Sequence, residues 1–138
     1  EHQSSLIDRV IVLSETPVRS VMVPGPRVVG IASTAGRREL IRVARSVAHS
    51  RLPVFSERRG QVVGLVKVEE LLRADGWTTI SERMNAPAKL SPTTTAAAAI
   101  AQMRRAGSEM AVVADGGGNM LGIVTLRDLL EEVVGEFG

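Results

Sequence analysis

The sequence predicts an α+β fold built from one supersecondary unit used twice. Three observations carry this. The stretch "GLVKVEELL" (64–72) returns as "GIVTLRDLL" (122–130), with its glycine, apolar and leucine positions in the same order. Short β-branched runs alternate with longer runs of helical spacing, in the same sequence of types in both halves. Finally, 138 residues at 44% hydrophobic and 23% charged describe a globular chain, long enough for a buried core and too apolar to be disordered.

In the first copy, "RVVGIA" (27–32) reads as a short strand. "AGRRELIRVARSVAHS" (35–50) places Leu40, Val43, Ala44 and Val47 on one helical face with arginines opposite, and Ser33 or Thr34 can cap its start. "LPVF" (52–55) and "QVVGLV" (61–66) are strands joined by the polar turn "SERRG", and "VEELLRA" (68–74) is a short helix. The order is β-α-β-β-α. The second copy repeats it: strand "AKL" (88–90), helix "TTTAAAAIAQMRRAG" (93–107) with threonines before it and Gly107 behind, strands "MAVVA" (110–114) and "MLGIV" (120–124) around "DGGGN", then helix "LRDLLEEVV" (126–134). One such unit is marginal alone, and two can cover each other's apolar sheet faces.

Ahead of the repeats, "SSLIDRVIVLSET" (4–16) reads as an amphipathic helix. Ser5 and Asp8 make a capping-box pattern, and Leu6, Val10 and Leu13 make a stripe. Each copy opens alike, with "VRSVM" (18–22) or "ISERM" (80–84) before a Pro-containing loop. The expected organisation is a helix and linker over 1–17, repeat 1 over 18–74, a linker over 75–79 and repeat 2 over 80–136.

Composition narrows the function. Seventeen basic and fifteen acidic residues leave a net charge of +2, too balanced for a strong nucleic-acid field. With no cysteine there is no disulfide framework and no thiolate metal site. The two histidines, His2 and His49, have no metal-ligand spacing, so no metal site is expected. No nucleophile–base pair or paired carboxylates stand out, so no catalytic residue is assigned and an enzyme is not expected. No apolar run reaches the roughly 20 residues of a membrane span, and the opening "EHQSS" reads as the start of an excised piece. "DGGGN" (115–119) lacks the Lys-Ser/Thr and helix of a phosphate loop and reads as a hairpin tip. The arginines of 37–45 read as a solvated helix face.

The paired unit, the pattern Gly-apolar-x-Thr-x-x-Asp over 122–128 and "RLPV" (51–54) resemble a tandem pair of CBS domains, a Bateman module. "VRSVMVPGP", "AHSRLPV" and "GIVTLRDLLEEVVGE" further resemble the CBS pair of the CorC/HlyC-type membrane proteins, relatives of the cyclin-M magnesium transporters. The resemblance runs over about residues 6–136. It implies two CBS repeats packed through their sheets in pseudo-two-fold symmetry. It also implies an adenine nucleotide, ATP with Mg²⁺ carried by the nucleotide, bound by a cytosolic module that regulates an attached transmembrane ion transporter.

A hydroxyl at the start of a helix can meet phosphate, and a carboxylate one turn on can accept from a vicinal diol. By the resemblance, Thr125 takes phosphate and Asp128 takes ribose. Val23 and Pro24 of one loop, with Ser50, Arg51, Leu52 and Pro53, wall the base, and Arg51 lies near phosphate. Thr as a cap with Asp one turn later is also ordinary helix-start chemistry. In the first copy Lys67 and Glu70 stand at the places of Thr125 and Asp128, so that cleft is expected to be degenerate. Arg127 stands where many relatives are acidic. A homodimer through the short helices is expected, with Leu71, Leu72, Leu129, Leu130 and Val133 as apolar contacts. The competing readings are a ligand-free dimerisation module and the regulatory insert of a soluble nucleotide-metabolism enzyme.

Overall fold

The repeated order of apolar runs is realised in a computed structural model that describes residues 5–47, 50–57 and 61–137, with the side chains of the last helix through Glu132. Helix α1 (Leu6–Glu15) and strand β1 (Val23–Pro24) precede two β-α-β-β-α series. The first is β2 (Ile31–Ala32), α2 (Arg37–Ser46), β3 (Arg51–Phe55), β4 (Val62–Lys67) and α3 (Val68–Arg73). The second is β5 (Ala88–Leu90), α4 (Ala96–Ala106), β6 (Met110–Ala114), β7 (Met120–Thr125) and α5 (Leu126–Phe137). His2, His49, the tip arginines of "SERRG" and the side chain of Val133, all considered in the sequence, lie outside the described residues.

The chain forms two compact units, and they cut across the sequence repeats. One comprises Glu1–Arg27 with Ala88–Gly138, the other Val28–Pro87. The reason lies in the opening segments. Val18, wholly buried, donates its N–H to Thr94 O (2.8 Å), and Thr16 O accepts from Ala96 (2.7 Å), so "VRSVM" is sewn to the start of α4 in the second repeat. Ile80, equally buried, donates to Ala35 O (2.9 Å), and Asn85 exchanges two bonds with Leu65 (2.8 and 2.9 Å), so "ISERM" is sewn to the first repeat.

In the first unit named, the sheet order is β1-β7-β6-β5, with β5 parallel to β6 and the other pairs antiparallel. Its core gathers Val18, Leu90, Ala96, Ala99, Met103, Ala111, Val113, Val124 and Leu129. In the other, β2 runs parallel to β3 and β3 antiparallel to β4. Its core gathers Leu40, Val43, Leu52, Val54, Val66 and Leu71 with Trp77 and Ile80, and Ala44 and Val47 pack against it.

Several local expectations change. The strand of 27–32 shrinks to Ile31–Ala32. A Cβ on Gly30 would meet the Pro53 carbonyl at 2.5 Å, so the backbones touch there. The N-cap of α2 is Gly36, without a side-chain bond, rather than Ser33 or Thr34: the helix starts only at Arg37, and Ser33 still belongs to the strand end, its N–H bound to Phe55 O (2.8 Å). The capping box of Ser5 and Asp8 is present. The stripe on α1, however, is not its buried face: Leu13 packs on the core, while Leu6 is 77% and Val10 52% exposed.

Candidate functional site

Strand β7 runs directly into α5, and this junction positions Thr125 and Asp128. The Thr125 hydroxyl accepts the Asp128 N–H at 3.0 Å and so caps α5. The Leu126 N–H is taken by Glu109 O at 2.9 Å. Two first-turn amides are therefore engaged, and the helix start offers an anion fewer free N–H groups than the sequence suggested. What stays available is the Thr125 O–H as a donor and the Asp128 carboxylate as an acceptor. Both residues are half-buried, and the Asp128 carboxylate has no hydrogen bond or ion pair among the described residues.

The segment after Met22 is a strand, not a loop. β1 pairs antiparallel with β7, Val23 opposite Ile123 and Pro24 opposite Gly122. Strand alternation puts Val23, Ile123 and Thr125 on one sheet face. Val23 and Pro24 are exposed, so these two and the Thr125–Asp128 pair are brought together in a single unit.

The matching junction in the other unit is built differently. Val68 donates to Ser50 O (2.9 Å), as Leu126 does to Glu109 O, but Lys67 offers no cap bond to α3. Instead its Nζ lies 3.4 Å from the Glu70 carboxylate, with both side chains more than half exposed. Where one junction has a hydroxyl cap and an unpaired carboxylate, the other has a closed ion pair. On α5, Arg127 is tied to Glu131 (3.1 Å).

Known proteins share this architecture. The CBS domain family matches residues 80–135. The solved CBS domain of a bacterial CNNM/CorC family Mg²⁺ transporter, in complex with ATP, has a TM-score of 0.86 to this chain at 32% identity, covering 94% of each. The chain belongs to the CNNM/CorC family of CBS-domain proteins. Among its relatives are a UPF0053 protein of Mycobacterium tuberculosis, 33% identical over 95% of this chain and 32% of that protein. The magnesium and cobalt efflux protein CorC of Vibrio cholerae is 29% identical over 95% of this chain and 46% of that protein. The CBS module thus spans about a third to a half of the length of these relatives. It is a regulatory module rather than an enzyme. None of its described helices is long and apolar enough to cross a membrane.

The other residues expected at the site from the sequence, Ser50, Arg51, Leu52 and Pro53, lie on the other unit, at the start of β3. Ser50 is exposed and Arg51 half-buried. Leu52 is 0% exposed within the core and Pro53 is buried beside Leu65, so neither offers a side chain to a ligand as the sequence suggested. The apolar contacts expected for a dimer divide the same way. Leu71 and Leu129 are core residues, while Leu72 and Leu130 are 39% and 43% exposed.

Arg37 is no solvated-face arginine: it donates to Leu72 O (3.0 Å) and Ala74 O (2.5 Å) at the end of α3 and lies 5.0 Å from the Trp77 ring centroid. Gly122 lets the protein's own backbone approach closely: a Cβ there would overlap the Val23 carbonyl and stand 2.7 Å from Met22 Sδ. The shared Met of "VRSVM" and "ISERM" was the available signal, since Met84 fills the same place at Gly64.

Proposed function

We propose that this CBS module senses adenine nucleotide, as Mg-ATP, on the cytoplasmic face of the membrane, and regulates an attached transmembrane transporter for Mg²⁺ or another divalent cation. The observation that carries the reading is the unpaired, half-buried Asp128 carboxylate beside the Thr125 hydroxyl. An acceptor held one turn from a donor suits a ribose diol next to a phosphate. The matching Lys67–Glu70 pair, already satisfied, does not. The solved relative in complex with ATP, at 32% identity, supports the ligand class. Val23, exposed on the sheet face of Thr125, supplies the neighbouring surface, while Pro24 is exposed on the opposite face. Ser50 and Arg51 join the proposal on the family resemblance alone.

Nucleotide binding biases a two-state arrangement that the membrane domain reads. The triphosphate approaches a helix carrying Glu131 and Glu132, both exposed. Mg²⁺ screens that repulsion. Calorimetric titration is expected to show ATP binding that tightens when Mg²⁺ is added. Affinity unchanged or weakened by Mg²⁺ contradicts the Mg-ATP form. No heat up to roughly millimolar ATP contradicts the nucleotide reading and favours a ligand-free scaffold.

The proposal includes a two-fold homodimer through the short helices, with Leu72 and Leu130 as the apolar groups left exposed. Sedimentation equilibrium is expected to give a dimer mass, and Leu72→Glu with Leu130→Glu to give monomer. A monomeric wild type overturns this part.

A further inference from the structure

We propose that Gly122 and Met22 form a seat that fixes β1 beside Thr125, so that ordering of β1 and occupation of the Thr125–Asp128 site by nucleotide favour each other. This rests on the nucleotide reading above and adds to it two positioning residues and a route of regulation.

β1 is a two-residue edge strand, and β7 is its one pairing partner. Such a short strand holds few ladder bonds, and edge segments of this kind open at low free energy. Its position depends on what lies beneath it. Before β1, the Met22 N–H is bound to Val18 O (2.9 Å), and Val18 is buried. From that anchor the Met22 side chain drops into the space left by the missing side chain of Gly122, and the Val23 carbonyl crosses the same glycine. After β1, a Cβ on Gly25 would find Leu121 O at 3.4 Å and Met120 Sδ at 3.6 Å, so the chain follows β7 closely. The seat is thus shaped to one register, and that register brings Val23 onto the face of Thr125.

A ligand that touches both Val23 and Thr125 binds the seated strand better than a displaced one. By reciprocity it must hold the strand down. β1 also ends four residues before Val28, where the chain passes from one compact unit to the other. Its ordering is therefore placed on the covalent path out of the nucleotide-binding unit.

The molecule carries its own control. A Cβ at Gly64 would meet Met84 Sδ at 2.6 Å, as one at Gly122 meets Met22 Sδ at 2.7 Å, but at Gly122 it would also overlap the Val23 carbonyl, so Met22→Ala and Met84→Ala are the matched pair. Near Gly64, however, stand Lys67 and Glu70 as a closed pair. A merely structural role makes the two substitutions equivalent toward nucleotide, and the coupling makes them different.

The test is ATP titration of the wild type, Gly122→Ala and Gly64→Ala, with amide hydrogen exchange over residues 21–25. Met22→Ala and Met84→Ala empty the same seats without a backbone clash and serve where the glycine variants fold poorly. Expected are slower exchange at Val23 and Gly25 when ATP is added to the wild type, and ATP binding weakened roughly tenfold by Gly122→Ala or Met22→Ala, the usual size of a coupling. Gly64→Ala and Met84→Ala are expected to leave ATP affinity unchanged. If the wild type binds ATP but β1 exchange does not respond, or both sets of variants behave alike, the coupling is overturned and the nucleotide reading stands. If the wild type binds no ATP, both fall.

Discussion

Arg37 makes three contacts that no other arginine of α2 makes, two to the last carbonyls of α3 and one to the face of Trp77. Cations at a helix C-terminus satisfy orphan carbonyls, and guanidinium over indole adds attraction. Arg37→Ala is expected to lower stability by about 1–3 kcal/mol, read from a denaturant midpoint. Arg38→Ala, on the exposed side, is expected to change little. A loss below about 0.5 kcal/mol from Arg37→Ala contradicts the role. Sequence alone could not separate these arginines, because helical periodicity assigns a face but not the loop that returns to it. The same holds for Leu52. Its place in "SRLP" suggested a site wall, yet Leu52, Pro53 and Val54 are buried in succession along β3, and Leu52 lies in the core. Thr125 and Asp128 were legible because a hydroxyl and a carboxylate three apart after an apolar run fix their own geometry.

Elements were legible wherever their ends carry chemistry. Gly107, at φ 64°, and the Thr95 hydroxyl, bound to Ala98 N–H at 3.2 Å, frame α4 as the caps suggested. "DGGGN" is a hairpin tip held by Asp115, whose carboxylate accepts from Gly117 (2.9 Å) and Asn119 (3.0 Å). The bond from the Asn119 backbone, with that from Gly117, holds the Asp115 carboxyl below its usual 3.8. The Thr79 N–H does the same for Glu82 below 4.5, and Arg42 for Glu39. A depressed carboxyl binds fewer protons folded than unfolded just below those values, so stability is complete above the unfolded pKa and is lost as pH falls through the folded one. Unfolding midpoints are expected to be level near neutrality and to fall below about pH 4.5, with a shallower fall in Asp115→Ala. A midpoint that rises on acidification contradicts this. What the elements did not disclose was their exchange between units. Val18 and Ile80 are both wholly buried apolar anchors at matching places in alike motifs, so neither motif states which repeat receives it.

At the scale of the molecule, one unit keeps an open hydroxyl–carboxylate junction and the other a closed ion pair. The repeated sequence made the two junctions visible and the substitutions Lys67 and Glu70 made their difference visible. The strand β1 beside one of them came only from the fold, since two residues are too short for a period. The central claim is that nucleotide binds at Thr125 and Asp128 and not at Lys67 and Glu70. Titration of ATP into the wild type, Asp128→Ala and Glu70→Ala, with thermal melts to show that all three fold, tests it most directly. The account predicts one nucleotide per chain, a loss of about 1.5–3 kcal/mol, roughly ten- to a hundredfold in affinity, for Asp128→Ala, and no change for Glu70→Ala. Two nucleotides per chain, or equal losses from the two substitutions, would contradict it.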